Sequence, residues 1–310
     1  MAADKNSPPL GFTGAWPALL TPLASDGTID HARFAQHALR LLANGAGGVT
    51  PFGTTGEGPS FSVEERREGL TQLIARGVPA ERIIASTSCA APVDTLALTQ
   101  HAVDLGVHGC LMLPPFFFKG VSDEGIYQAY REVLAGVRAT HWRMYLYHLP
   151  QVAGVALPAA VIARLQQAFP HLIAGIKDSG CEREHSVALA QQFMPPLKVY
   201  VGHEPDLPTL GRLGSTGAIS GVANFMPKTV TRMVCTPDDP RVAEDTHRMD
   251  ALLTLVKSFA LLPALKGVMA WLERDPAWLR VRAPLVALTA QEQAVLDEGL
   301  AALSLKLNHD

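Results

Sequence analysis

Eight short apolar runs punctuate the first 225 residues, at 15–23, 48–53, 82–88, 109–115, 143–150, 173–179, 197–203 and 217–223. Stretches of helical periodicity lie between them, at 31–45, 62–77, 92–106, 122–137, 157–169, 183–193 and, more briefly, 205–213. Strand–helix alternation at this spacing predicts a parallel sheet, because a parallel connection needs a crossover long enough to hold a helix. Runs apolar on both faces agree, since a parallel sheet is covered on both sides. Eight such units predict an α/β fold closed into a (β/α)8 barrel, the TIM-barrel architecture, and not an open doubly wound sheet. The glycine fingerprint GxGxxG, which a dinucleotide-binding sheet would carry after its first strand, is missing there.

Two local signals support the helices. In 31–45, Phe34, Ala38, Leu41 and Leu42 fall on one face and Gly45 supplies a stop. In 62–77, Ser62 followed by Glu65 forms a capping box. From Met226 onward the strand signals end, and three long helical patterns follow, with loops at 236–240 and 281–289. The chain is therefore divided into a barrel carrying the active site (1–225) and a C-terminal helical domain (226–310).

With 310 residues, 48% of them hydrophobic, there is material for a large core. A net charge of −3 with scattered basic residues points away from nucleic-acid and membrane partners. No apolar stretch reaches the length of a membrane span. Cys89, Cys110, Cys181 and Cys235 have no CxxC spacing, which suggests a reduced, cytoplasmic chain. The opening MAADKNSPPLGF has no apolar core of a secretory signal. The histidines show neither HxH nor HExxH, so no metal site is expected.

Catalytic groups of such a barrel gather where strands end. The second run ends in Gly53-Thr54-Thr55-Gly56-Glu57-Gly58, the fifth at Tyr147-His148 and the sixth at Lys177-Asp178-Ser179. The seventh ends at Gly202-His203-Glu204, and the eighth carries Ser220-Gly221. An amine at the mouth of an apolar barrel loses hydration, and burial favours its neutral form, which attacks a carbonyl to give a Schiff base. Lys177 is that candidate; the competing reading is an ammonium reaching solvent while its stem covers apolar surface. Tyr147 ends the preceding strand, where a phenol could shuttle protons, or simply pack in the core. Tyr145 reads as the deeper packing residue. The GTTGE stretch offers backbone N–H groups and two hydroxyls to a small carboxylate, or forms an ordinary capped turn. His148 is expected at the pocket wall, and Asp178 is expected to bond loop backbone.

Together these residues resemble the dihydrodipicolinate synthase / N-acetylneuraminate lyase family of Schiff-base aldolases. The resemblance rests on ALLTPL, GTTGE, Tyr147-x-x-Pro150-x-x-x-Gly154, GIKDS and GAISGVAN in order, then ALKGVMAW and VRAPLVAL. It implies a barrel with a C-terminal helical domain, assembled as a homotetramer built from dimers. It also implies a covalent imine between Lys177 and pyruvate or another 2-oxo acid, with no further cofactor. Tyr147 would be the acid/base; Thr55 would pass the proton, holding the carboxylate with Thr54. Gly53, Ile219 and the Gly202 loop would line the pocket. Two positions depart from the synthases: Val152 stands where they carry an arginine, and Phe117 where they carry a second tyrosine. Pro205 in GHEPD likewise replaces an acid of the neuraminate lyases. A phenyl ring cannot relay a proton, and an aliphatic side chain cannot grip a carboxylate. An apolar wall of Phe117 and Val152 suits a neutral aldehyde half or a 2-keto-3-deoxy acid. Three functions follow in order: a 2-oxo acid lyase or dehydratase, a 4-hydroxy-tetrahydrodipicolinate synthase, and a non-catalytic 2-oxo acid sensor.

Overall fold

A computed structural model describes residues 12–303. Residues 1–11, which hold most of the segment expected to lack a signal, and the last residues of the C-terminal domain lie outside the described residues. Seven parallel strands form one sheet: β1 (Gly14–Pro17), β2 (Ile84–Ser86), β3 (Gly109–Met112), β4 (Met144–His148), β5 (Ile173–Asp178), β6 (Lys198–Val201) and β7 (Gly217–Ser220). Their order is β1-β7-β6-β5-β4-β3-β2. The run expected as a strand at 48–53 shrinks to Val49 and Thr50. Thr50 bridges Ala18 beyond β1, and Val49 bridges Ile83 beside β2, so the two edges of the sheet meet and the ring closes. Phe52 explains the shortening. It turns to φ +59°, a left-handed conformation that ends any strand two residues on.

The helices are α1 (His31–Ala43), α2 (Val63–Ala75), α3 (Pro92–Asp104), α4 (Asp123–Gly136), the single turn α5 (Pro150–Ala153), α6 (Ala159–Ala168), α7 (Arg183–Phe193) and α8 (Leu207–Arg212). They are followed by α9 (Pro227–Cys235), α10 (Val242–Lys257), α11 (Leu261–Glu273) and α12 (Ala290–Ala302). In α1, Phe34, Ala38 and Leu41 are buried, as their spacing predicts. The Ser62/Glu65 capping box starts α2, and a second one, Thr289/Glu292, starts α12. α9 packs on the barrel itself: its Thr231 Oγ1 accepts the Ala15 N–H at 2.9 Å. Among the described residues no single helix is long and apolar enough to cross a membrane.

The inward faces of the strands decide where the barrel opens. Phe12, Trp16, Tyr145 and Tyr200 fill the interior toward the strand N-termini, with Phe12 stacked on Tyr200 at 3.7 Å between centroids. The Tyr200 hydroxyl accepts the Phe12 N–H at 2.9 Å, and Tyr145 OH pairs with His108 Nε2 at 2.8 Å. Gly175 makes room for this plug, because a Cβ there would stand 2.6 Å from Tyr200 Cε2. With aromatic rings filling the N-terminal end, the polar strand ends face the other opening.

One buried histidine fixes the junction of β1, β7 and the extension. His37 Nε2 donates to Asn224 Oδ1 at 2.9 Å, and its Nδ1 accepts from Arg40 Nη2 at 2.7 Å. Burial, reinforced by the Arg40 charge and opposed by the bond to Asn224, pushes its pKa down to about 3. Below about pH 6.5 the unfolded chain takes up a proton on His37 that the folded chain refuses until about pH 3. Stability is therefore complete above that window and falls on acidification, by about 1.4 kcal/mol per pH unit from this group. Denaturant titrations across the window should show a shallower acid loss, by one proton, in His37→Gln; an identical slope would contradict the assignment.

Candidate active site

Lys177 lies on β5 and is only 5% exposed. In the parallel register it neighbours Tyr147 of β4 on one side and Tyr200 of β6 on the other. Side chains alternate between faces, so Tyr145 and Tyr147, Gly175 and Lys177, and Tyr200 and Gly202 all look into the barrel. Tyr200 and Tyr145 are part of the plug; beside Tyr147, two residues past Tyr145 on β4, Lys177 Nζ sits 4.1 Å from the Tyr147 ring centroid. The amine and the phenol expected to work together are in contact.

Gly202 shapes the same corner. A Cβ at this position would lie 1.8 Å from Ser179 Oγ and 2.8 Å from Lys177 Cε. The Gly202 N–H continues the ladder to Asp178 O at 2.8 Å, so the backbone cannot step aside to admit a side chain. Gly202→Ala must push the lysine stem. A displacement near 1 Å at a reacting group costs about 10²-fold in rate, and kcat/KM should fall by about that factor with the fold retained. Steady-state kinetics beside a melting curve check it; unchanged kcat/KM would show that the lysine needs no such clearance.

The GTTGE turn comes over the mouth from the opposite side. Gly53 has open space where a Cβ would be, and Thr54 and Thr55 are half-buried. Thr55 Oγ1 comes to within 3.4 Å of the place where a Gly221 Cβ would stand, just past Ile219 and Ser220 of β7. Ile219, 1% exposed, belongs to the interior cluster with Tyr147. The turn, β7, β6, β5 and β4 thus contribute successive residues to one rim.

Three expected site residues lie elsewhere. His148 follows Tyr147 and so faces outward from the barrel. Its Nδ1 accepts the Leu157 N–H at 3.1 Å, and its ring stacks on His185 of α7 at 4.4 Å. It is not a pocket wall, and burial lowers its pKa. Phe117 and Val152 are 70% and 60% exposed, so the expected apolar wall is instead a pair of solvent-facing side chains, one in the loop after β3 and one on α5 after β4. Lys119 straps the two segments together, donating to the carbonyls of Phe116 and Ala153.

His148, Asp178 and His185 bring ligand-type atoms within 4.8 Å of one another. Their hydrogen bonds argue against a metal. Since His148 Nδ1 accepts from Leu157, a neutral ring carries its proton on Nε2 and has no lone pair to offer there. Asp178 Oδ1 accepts the Gly180 N–H, as expected of a loop-bonded carboxylate, and Oδ2 accepts from Ser186 Oγ and His185 Nδ1. The cluster ties α7 to the strand ends.

Ser179 was not singled out from the sequence, although it follows Lys177 by two and shares its face. Its buried Oγ has no hydrogen-bond partner among the described residues, and it borders the Lys177 stem. Buried Glu204, on the next loop, accepts from Ser220 Oγ at 2.7 Å.

Residues 11–303 match the model of the dihydrodipicolinate synthetase family. The chain belongs to that family. An "Uncharacterized DapA-like lyase" of Chloroflexus aurantiacus is 36% identical over 283 residues, which cover 90% of this chain and 93% of the relative. The crystal structure of dihydrodipicolinate synthase from Agrobacterium tumefaciens str. C58 superposes with a TM-score of 0.87 at 34% identity, covering 94% of this chain and 99% of that one. A prophage protein from E. coli K12, solved in complex with pyruvate and described as belonging to the dihydrodipicolinic acid synthase family, shares the fold. Its TM-score is 0.85 at 23% identity, with 95% of this chain and 99% of that one covered. Members of the dihydrodipicolinate synthetase family are lyases of the class I aldolase type, and this chain is one of them.

Proposed function

We propose that the protein is a Schiff-base lyase that makes or breaks the C3–C4 bond, or eliminates water there, in a pyruvate-derived 2-oxo acid such as a 2-keto-3-deoxy acid. The observation that carries this is the buried Lys177 amine against the Tyr147 ring at the open end of the barrel. The pyruvate held by the E. coli relative supports a 2-oxo acid as the electrophile.

In the cleavage direction, Lys177 Nζ attacks the C2 ketone to form a carbinolamine. Tyr147 donates the proton with which the C2 oxygen leaves as water, giving an iminium. The C4 hydroxyl gives up its proton to the Tyr147 oxygen, the C3–C4 electron pair flows toward the iminium nitrogen, and an aldehyde departs. Tyr147 passes that proton on to C3 of the remaining enamine, and water then adds to C2, returning a proton to the Tyr147 oxygen as pyruvate and the free amine are released. The iminium is the electron sink, so no cofactor is required. Gly53, Thr54 and Thr55 offer amides and hydroxyls to the carboxylate, and Thr55 passes protons at the rim.

Val152 and Phe117, where synthases have arginine and tyrosine, weigh against condensation with aspartate semialdehyde. A panel of 2-keto-3-deoxy acids and arylidene pyruvates, scored for pyruvate release, tests the proposal. Release from at least one is expected. Robust turnover of pyruvate with aspartate semialdehyde, and none of the panel, would instead assign the synthase reaction; binding of pyruvate without imine formation would assign a sensor. We further place the protein in the cytoplasm as a homotetramer, which light scattering at the mass of four chains would check.

A further inference from the structure

The C-terminal helices reach the back of the GTTGE turn. Lys266 of α11 is 1% exposed, and its ammonium pairs with the fully buried Glu57 carboxylate. The same Nζ donates to Arg280 O at 2.6 Å, while Glu57 Oε2 accepts the Arg282 N–H at 3.0 Å. Glu57 is thus held twice by the segment from 266 to 282. The Arg282 guanidinium adds bonds to Gly27 O at 2.9 Å, Ser60 O at 3.1 Å and Glu65 Oε1 at 2.5 Å.

Glu57 is also the hinge of the turn. Its φ of +56° is a left-handed conformation that a non-glycine residue keeps only when its surroundings impose it. Its N–H donates to Thr54 O at 3.1 Å, and the Gly58 N–H donates to Gly53 O at 3.0 Å, so the peptides carrying the two threonines close directly onto Glu57. From the other side, Thr21 Oγ1 donates to Gly56 O at 2.7 Å. Leu265, beside Lys266, has its Cδ1 3.7 Å from the place of a Gly221 Cβ, the same place that Thr55 Oγ1 approaches. A buried ion pair stabilises a fold poorly, because desolvating two charges offsets their attraction. Burial indeed pulls the Lys266 ammonium below the usual lysine range, with Glu57 opposing. Such a pair is better suited to fixing one geometry than to adding stability.

We infer that Lys266 is a positioning residue of the active site: through Glu57 it fixes the Thr54–Thr55 turn that receives the 2-oxo acid carboxylate, so that the C-terminal helices set the preference for an anionic substrate. The inference rests on the Lys177 imine proposed above and goes beyond it.

The test compares two ketones that differ in that one group, pyruvate and pyruvamide, each trapped on Lys177 by borohydride. The full-length wild type should label faster with pyruvate. Lys266→Met should lose about tenfold of that preference, the value of one well-placed charge-assisted contact, while pyruvamide trapping persists. Since Lys266→Met strands a buried carboxylate, and Glu57→Gln alone would strand the buried ammonium, the double variant Glu57→Gln/Lys266→Met carries the same test with neither charge left unpaired. A loss of preference in any folded variant supports the inference. A retained preference, or an equal fall for both ketones as a merely structural role would give, overturns it and leaves the Lys177 proposal standing. Failure of the wild type to label with either ketone overturns both.

Discussion

Lys177→Met should abolish turnover, with kcat falling by at least about 10⁴-fold, the scale at which removing a covalent nucleophile leaves only binding and polarisation. Methionine keeps the unbranched stem and fills nearly the same volume, so the Tyr147 ring and the clearance made by Gly202 remain served. The protein should melt at the same temperature or above it, because a buried amine kept for chemistry is replaced by an apolar side chain. Activity lost together with the fold would say nothing of chemistry; activity lost at undiminished stability assigns the lysine. Turnover within tenfold of wild type would exclude covalent catalysis at this position.

Tyr147→Phe removes one oxygen and leaves the ring against the Lys177 amine. General acid–base groups contribute about 10²–10⁴-fold, and the loss should fall in kcat. Borohydride trapping with pyruvate should reach the wild-type stoichiometry more slowly, since dehydration of the carbinolamine has lost its proton donor. Tyr145→Phe provides the contrast. That hydroxyl pairs with His108 in the plug, so its removal should cost stability and leave kcat nearly intact. Equal kinetic losses in the two variants would contradict the division of the interior into plug and site.

The barrel was legible because strands of a covered parallel sheet are near-continuous apolar runs, and seven of the eight runs become strands. The remaining one, the second run at 48–53, failed as a full strand for a backbone reason, the left-handed turn at Phe52, that periodicity does not record. Lys177 and Tyr147 were legible as polar groups ending apolar runs. His148 was misplaced for neglect of the same alternation: its neighbour Tyr147 faces inward, so it faces out. That rule, applied to Lys177, also points to Ser179. Phe117 sits in a loop and Val152 in the single turn α5, too short for periodicity to state which way a side chain turns, and both turn to solvent. The pairing of Glu57 with Lys266 joins two motifs that the sequence shows only as separate members of one ordered set.

The account stands on a covalent bond at one nitrogen. Wild-type protein incubated with pyruvate, reduced with borohydride and digested should carry one reduced pyruvyl group on the peptide containing Lys177, with the other lysines unmodified. Intact, folded protein that stays unlabelled under those conditions, or carries the label on another lysine, would contradict it.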